Sequence, residues 1–391
     1  MRVSAWPLII AVALDMMGFA MIIPDIQLRA EGLGTPGWMI GAILASTFII
    51  QFLVSPWWGA RSDRLGRKNV FLFCTSLSAL SMALYALADA PAWLLLSRIL
   101  AGFGAANIAV AQASVVDGES HEDRTPALAR LSAAQNFGMI LGPGLGGWIA
   151  SSIGSAQLGW IACGLSALGV VIVALRGQFP AVDEVSTRRP FGFGALLKSF
   201  PHLVPLVVLA AIAWFSLSAL EGTFGRLLKA EWGYGSFEFG LLFSFESALI
   251  LIIQAVLLTL ITKRFKPRTI LVAGYSFQGL GLALTPFSPG LAVLFVCSGL
   301  YAFGVSIANP TVNALCSEQV PDDRQGELFG VLQSARSVGF ALGPLLGGVL
   351  FDWERAAPYL LAGCVCLLAA FLAPWASRPR GAGSPNSVPG Q

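Results

Sequence analysis

The chain has 391 residues, of which 56% are hydrophobic and only 12% charged, with a formal net charge of +3. Soluble domains carry roughly 25% charged residues, so this composition excludes an ordinary water-soluble globule, and it is too apolar for a disordered chain. A bilayer-spanning helix needs about 20 apolar residues, so a chain of this length holds about twelve of them with short loops and no soluble catalytic domain.

In chain order, apolar runs predict spans over 6–27, 38–60, 69–88, 91–116, 128–152, 157–176, 201–225, 238–262, 269–288, 290–316, 326–351 and 356–376. The first run carries Asp15 and Pro24 and has no small-residue cleavage site, so it reads as a retained helix and not a signal peptide. The longest polar interruption holds Asp183, Glu184, Arg188, Arg189 and Lys198. It divides the chain into a six-helix half over 1–176, a cytoplasmic linker over 177–200 and a second six-helix half over 201–376. The remainder, 377–391, is rich in Gly, Ser and Pro and is expected to be disordered. The six cysteines fall in or beside apolar runs without metal-ligand spacing, so they read as packing residues and no metal site is expected.

Lys and Arg in the loops set the orientation. With the N-terminus inside, inner loops and tails hold 18 of the 24 basic residues, the outer side holds Arg29, Arg226, Lys229 and Arg355, and Arg98 and Arg336 fall within spans. Both termini are therefore expected in the cytoplasm. The basic loops are dispersed between spans, so they do not read as a nucleic-acid patch.

The halves repeat. Gly138, Gly142, Pro143, Gly146 and Gly147 recur as Gly339, Gly343, Pro344, Gly347 and Gly348, an offset of 201. Asp117 matches Glu318, Phe103-Gly104 matches Phe303-Gly304, and Arg64 matches Arg264 at nearly the same offset. The expected fold is an all-α integral membrane protein of 12 transmembrane helices in two pseudo-symmetric halves, related by an axis along the membrane normal.

Between spans 2 and 3 stands Gly59-Ala-Arg-Ser62-Asp63-Arg64-Leu-Gly66-Arg67-Lys68. This run resembles the signature loop of the major facilitator superfamily. Arg98-Ile-Leu-Ala-Gly102-Phe-Gly104 resembles its second motif, and Gly138 to Gly147 resembles the motif of its proton-coupled antiporters. The first span, with Leu14-Asp15 and Ile23-Pro24, is similar to tetracycline-type and multidrug exporters. The resemblance covers the whole chain and implies alternating access without covalent chemistry. In that family the signature loop is thought to lock the outward-open state, which implies a conformational latch of Gly59, Asp63, Arg64, Gly66, Arg67, Asp117 and Glu318. Arg67 and Asp117 are the natural pair by charge. Gly138, Gly142 and Gly146, spaced i, i+4, i+8, present one small-residue face for close helix approach. Pro143 favours a kink, and Gly339, Gly343, Pro344 and Gly347 repeat the arrangement. These faces are expected where the two halves rock.

A charge inside a span costs roughly 2.5–3.5 kcal/mol on insertion scales, so retained charges point to function. Desolvation favours a neutral carboxylic acid and a nearby cation opposes this, so an acid in an opening cavity can take up and release a proton. Asp15 is the expected leading proton site with Arg98 as its tuning cation. Glu221 and Glu246 are further candidates, and Arg336 can neutralise either. Asp25 and Asp89 sit at span ends and are expected in water. Gln51, Asn107, Gln112, Gln135 and Asn136 interrupt the first-half spans; Gln254, Gln278, Asn309, Asn313 and Gln333 interrupt the second. With Trp214 and Phe215 they suit a cavity for amphipathic, cationic solutes. The histidines, His121 and His202, lie in loops or at a span edge and the ninth span has no acid. Tetracycline exporters of this type carry ionisable residues there, which argues against tetracycline itself.

The expected function is a proton-coupled antiporter, not an enzyme, exporting organic solutes or drugs. It would use no cofactor beyond a proton gradient and act as a monomer in a bacterial inner membrane. Alternatives are a dedicated metabolite or metallophore exporter, a nutrient importer, or a lipid-handling or sensor protein on the same fold. No Gly-x-x-x-x-Gly-Lys-Ser/Thr loop is present, which argues against ATP coupling.

Overall fold

In lipid, every backbone polar group needs an internal partner, so a chain this apolar resolves into helices. A computed structural model describes residues 6–118, 124–177, 179, 193–321 and 324–377. Among them there is no strand. The first half contains α1 (Trp6–Gly32), α2 (Gly37–Leu65), α3 (Arg67–Leu87), α4 (Pro91–Gly104), α5 (Asn107–Gly118), α6 (Arg124–Ile153) and α7 (Ser155–Arg176). After the short α8 (Phe193–Ser199) come α9 (Val204–Trp232), α10 (Ser236–Ile252), α11 (Leu258–Arg264), α12 (Pro267–Leu284), α13 (Leu291–Ser317), α14 (Gln325–Trp353) and α15 (Ala357–Ala376). Two spans are interrupted: α4 and α5 are one crossing broken at Ala105-Ala106, and α10 and α11 are one crossing joined by a π-helical turn, Ile253–Leu257. Eleven spans are long and apolar enough to cross a bilayer. The twelfth is α6, long enough at 30 residues but diluted by Arg124, Arg130, Gln135 and Asn136.

The turns follow from residue type. Gly66, between α2 and α3, has φ +87°, and Gly233, after α9, has φ +70° with its N–H capping the Leu228 and Lys229 carbonyls. A side chain disfavours both conformations. The linker beyond 179 up to 192 and the tail from 378 lie outside the described residues.

Packing repeats with the sequence. Helix α1 packs on α6 and α7, and α9 packs on α14 and α15. Helix α3 packs on α4 and α7, while α12 packs on α13 and α15. Between the halves, α2 packs on α14 and α6 on α10.

The glycine motifs divide between these two kinds of contact, which corrects the expectation that their i, i+4 face lies between the halves. A Cβ on Gly138, Gly142 or Gly146 would meet Met17, Ala20 and Met21 of α1 at 2.7, 2.6 and 2.0 Å. That face is internal to the first half. Gly339, Gly343 and Gly347 likewise face α9, at Ala211, Ser218 and Thr223. The halves meet on the neighbouring face. A Cβ on Gly41 would sit 2.1 Å from the Pro344 carbonyl oxygen, and one on Gly240 2.2 Å from that of Pro143. Gly147 and Gly348 make the same approach to the carbonyls of Ser236 and Gly37. Ser236 and Gly37 begin α10 and α2, so the halves close at the end of the bundle that carries the 33–36 and 233–235 connections. The charge bias of the loops leads one to expect that end on the outside.

The two kinds of glycine predict two outcomes. Gly146→Ala forces a methyl into the Met21 backbone inside one half and should lower the melting temperature in detergent, at roughly 1–3 kcal/mol. Gly41→Ala makes an equally close contact between halves, which parting of the halves relieves, so its melting temperature should stay near wild type. Gly164→Ala, with nothing within 4 Å, is the neutral control.

Candidate functional site

Three buried polar clusters occupy the bundle. The first surrounds Asp15, which is 1% exposed. Its carboxylate accepts from Asn107 Nδ2 and Ser166 Oγ, both at 2.7 Å, and from Ser78 Oγ at 3.4 Å. The donors come from α5, α7 and α3, so Asp15 lies within the first half and away from the boundary between halves. Three donors offset much of the cost of burying this acid. Asn107, expected at the solute cavity, belongs instead to this cluster, because the break between α4 and α5 turns its side chain into the core.

Arg98 does not pair with Asp15. It is 5% exposed, points its Nε at Ser97 Oγ at 3.4 Å and holds its guanidinium 5.8 Å from the Tyr85 ring centroid. Asp15 faces Ser78 and Arg98 faces Tyr85, and these are seven residues apart on α3, roughly 10 Å along a helix. That separation excludes the pair. The second cluster centres on Tyr85. Its hydroxyl donates to Asp25, and Arg29 donates to the Tyr85, Ala86 and Ala88 carbonyls. Asp25, expected in water, is 5% exposed and also accepts from Ser236 Oγ of the second half at 2.9 Å. The reason is that α1 continues to Gly32, which places Asp25 inside the helix and not at its end. Asp89 is exposed, as expected.

The third cluster lies in the second half, facing the first. Glu221 on α9 is half-buried and Glu246 on α10 is 4% exposed. Arg336 on α14 is within electrostatic reach of Glu221, as is Glu246. Arg336 is exposed and, among the described residues, has no carboxylate at ion-pair distance. Its guanidinium lies 4.4 Å from the Trp214 ring centroid and 5.4 Å from that of Phe340. Phe340 in turn stacks on Phe48 of the first half, with centroids 4.3 Å apart and planes at 22°. Arg336 packs against Phe340, which itself stacks on a ring of the opposite half, so the guanidinium lies near the boundary between halves. Gln333, Arg336 and Phe340 share one face of α14, and Gln51 lies one turn from Phe48. Tyr301 on α13 is 1% exposed and within electrostatic reach of both glutamates, with Ser216 of α9 beside its hydroxyl.

The other expected cavity residues scatter. Gln112, Asn136 and Asn313 are exposed, while Gln135, Phe215, Gln254 and Asn309 are half-buried. Gln254 lies in the π-helical turn. Gln278 is fully buried in α12 with its carboxamide unpartnered. Of the latch, Arg67 donates to Ser62 Oγ at 2.9 Å, and Arg64 and Glu318 are exposed. The side chains of Gly59, Asp63 and Asp117 lie outside the described residues, so the Arg67–Asp117 pair does too. Phe48, Phe340, Tyr85 and Tyr301 were not singled out from the sequence. The tyrosines carried a usable signal, since a phenol in mid-span needs a polar partner.

Comparison with known proteins now decides the family. The description of the Major Facilitator Superfamily matches residues 8–226 and, again, 206–391. The chain belongs to the major facilitator superfamily. It is 28% identical over 362 residues to multidrug resistance protein 2 of Bacillus subtilis, covering 90% of each chain. It is 30% identical over 352 residues to the class C tetracycline resistance protein of Escherichia coli, covering 86% of each. The fold matches the nucleoside transporter NupG with a TM-score of 0.79 at 14% identity, over 95% of this chain and 98% of the other. The protein is therefore an integral membrane transporter of small molecules and not an enzyme.

The Asp15 cluster makes a stability prediction. Asp15→Ala removes the acceptor for three buried donors, and an unsatisfied buried group costs roughly 1–3 kcal/mol. A thermal melt in detergent should show a clear loss, with Asp15→Asn, which keeps one acceptor oxygen, falling between the two.

Proposed function

We propose that the chain is a proton-coupled antiporter that exports amphipathic, ring-bearing organic solutes by alternating access. One observation carries the reading: an aromatic shelf of Phe48, Phe340 and Trp214 lies beside Glu221, Glu246 and Arg336 in the cleft between halves. Flat rings gain stacking area on such a shelf, and a few charged groups orient the rest of the solute. The multidrug and tetracycline resistance relatives support drug export over import.

Geometry favours Glu221 and Glu246 over Asp15 as the proton site. Asp15 is sealed by its own donors inside one half. Glu221 is half-buried beside the boundary, where a proton and a cationic solute compete for its carboxylate, and Glu246 is buried within electrostatic reach of it. That competition is what antiport requires, because one species leaves as the other binds. Arg336 belongs to the same half as Glu221 and stays within its electrostatic reach as the halves move. The driving force is the proton gradient, no cofactor takes part, and a monomer suffices. Both termini face the cytoplasm of a bacterial cell, a reading supported by the bias of Lys and Arg in the loops.

A second reading has one observation in its favour: exposed Arg336 also suits an acidic group on the solute, so anionic aromatic compounds belong in the test. Exchange is measured in proteoliposomes under an imposed pH gradient, with matched cationic, neutral and anionic aromatic probes. Wild type should drive probe flux only against a proton gradient, and Glu221→Gln and Glu246→Gln should each lose at least tenfold while melting like wild type. Phe340→Ala should weaken probe affinity roughly two- to tenfold, the value of one aromatic contact. Full flux in both glutamine variants would remove these acids from the mechanism, and gradient-independent flux would remove antiport.

A further inference from the structure

Gln27 is a residue to which neither the motifs nor the proposed function gives a role. It lies on α1 and is completely buried, at 0% exposure. Its carboxamide crosses the boundary between halves: Nε2 donates to the Glu221 carbonyl oxygen, and Oε1 accepts from the Gly225 N–H at 3.1 Å. Residues 221 and 225 are an i, i+4 pair. In an ideal helix the second donates directly to the first. Gln27 therefore spans both ends of the turn bearing Glu221. A Cβ at Gly225 would lie 3.1 Å from the Phe239 ring and at ordinary contact distance, 3.4 Å, from Gln27 Oε1, so the ring and not Gln27 crowds this position.

Two further ties from α1 flank it. Asp25 accepts from Ser236, and Glu31 pairs with Lys229 at 3.0 Å. The Glu31–Lys229 pair is exposed and weak in consequence. Gln27 is the buried tie that grips the backbone carrying a functional carboxylate.

We propose that Gln27 is a positioning residue for Glu221: while the outer end is closed, its carboxamide holds the Glu221 turn in the orientation that faces Glu246 and Arg336. Opening of the outer end withdraws Gln27 and frees that turn to reorient the carboxylate. The charged and titratable groups around Glu221 are Glu246 from α10, Arg336 from α14 and Tyr301 from α13, with Asp25 and Glu31 on α1 itself. Gln27 carries no charge, so it acts on them through geometry. This inference rests on the reading of Glu221 as a proton-coupling group.

The test uses Gln27→Leu, which keeps volume and removes both hydrogen bonds, with Gln27→Asn, whose shorter carboxamide cannot reach both partners, as the second variant. Three quantities are read on the full chain: the thermal melt, labelling of a cysteine at Ser236 by a membrane-impermeant maleimide in a background without native thiols, and the pH profile of cationic-probe exchange. Both variants should fold, label about five- to tenfold faster, as expected for losing a net hydrogen bond or two, and shift the pH midpoint of exchange by at least half a unit. Faster labelling with an unmoved pH profile would make Gln27 a gate tie only and overturn its positioning role. Wild-type labelling and profile in either folded variant would overturn the proposal outright. Glu221→Gln run in parallel separates the two levels. If it is inactive while the Gln27 variants match wild type, this inference alone fails. If it exchanges normally, the reading of Glu221 fails and takes this inference with it.

Discussion

Backbone contact between helices is the constraint on which the rest of this structure depends. At Gly41 against Pro344 and Gly240 against Pro143 there is no room even for a methyl group. In a bilayer, helix association gains nothing from excluding water, so close van der Waals approach has to hold the halves together. Such contacts are short-ranged. They are strong when the faces meet and vanish when they part by a few ångströms. A boundary built this way is suited to two discrete arrangements. The internal faces, where Gly138, Gly142 and Gly146 seat α1, hold each half together as a unit.

Polar groups follow the same division. Inside the first half, Asp15 has three donors and Tyr85 is gripped by Arg29 and Asp25, so these clusters are bound into one unit. At the boundary, single side chains reach across to the other half: Asp25 to Ser236, Gln27 to the α9 backbone, and Ser244 to the Ile140 carbonyl and Gly144 N–H of α6. A tie of one or two hydrogen bonds is worth little net in folding because water replaces it when lost. That small value is useful at a gate, where both states need to be populated and a ligand shifts the balance by its differential affinity.

Much of the fold was legible in the sequence because it rests on composition and on repeats. Twelve crossings follow from apolar runs, and the duplicated Gly-Pro motif gives the two halves. The errors came from assigning directions to side chains. Spacing showed that Gly138, Gly142 and Gly146 share a face, yet the partner of that face depends on helix packing, and it proved to be α1. Asp15 and Arg98 are both charges within spans, but depth along α3 separates them by two turns. Asp25 was placed in water because the apolar run falls off before the helix does. Phe48 and Phe340 looked like ordinary apolar residues, and only the meeting of α2 and α14 makes a shelf of them.

The repeat also shows how the two halves differ. Shifted by 201, the glycines of α6 fall on those of α14, while Asp15 falls on Ser216, Gln135 on Arg336 and Ala20 on Glu221. The scaffold was kept and the chemistry was not. Packing positions tolerate little, since a methyl at Gly146 or Gly343 meets another helix at 2.0 Å. Polar positions within a span are limited only by whether their partners change with them. In the first half the acid sits deep among its donors and stabilises a unit. In the second half Glu221 lies within electrostatic reach of Glu246 and Arg336, and the Phe48–Phe340 stack joins that half to the first. The symmetric frame thus carries an asymmetric set of charged groups, because packing fixes the glycines of both halves while each polar residue answers only to its own partners.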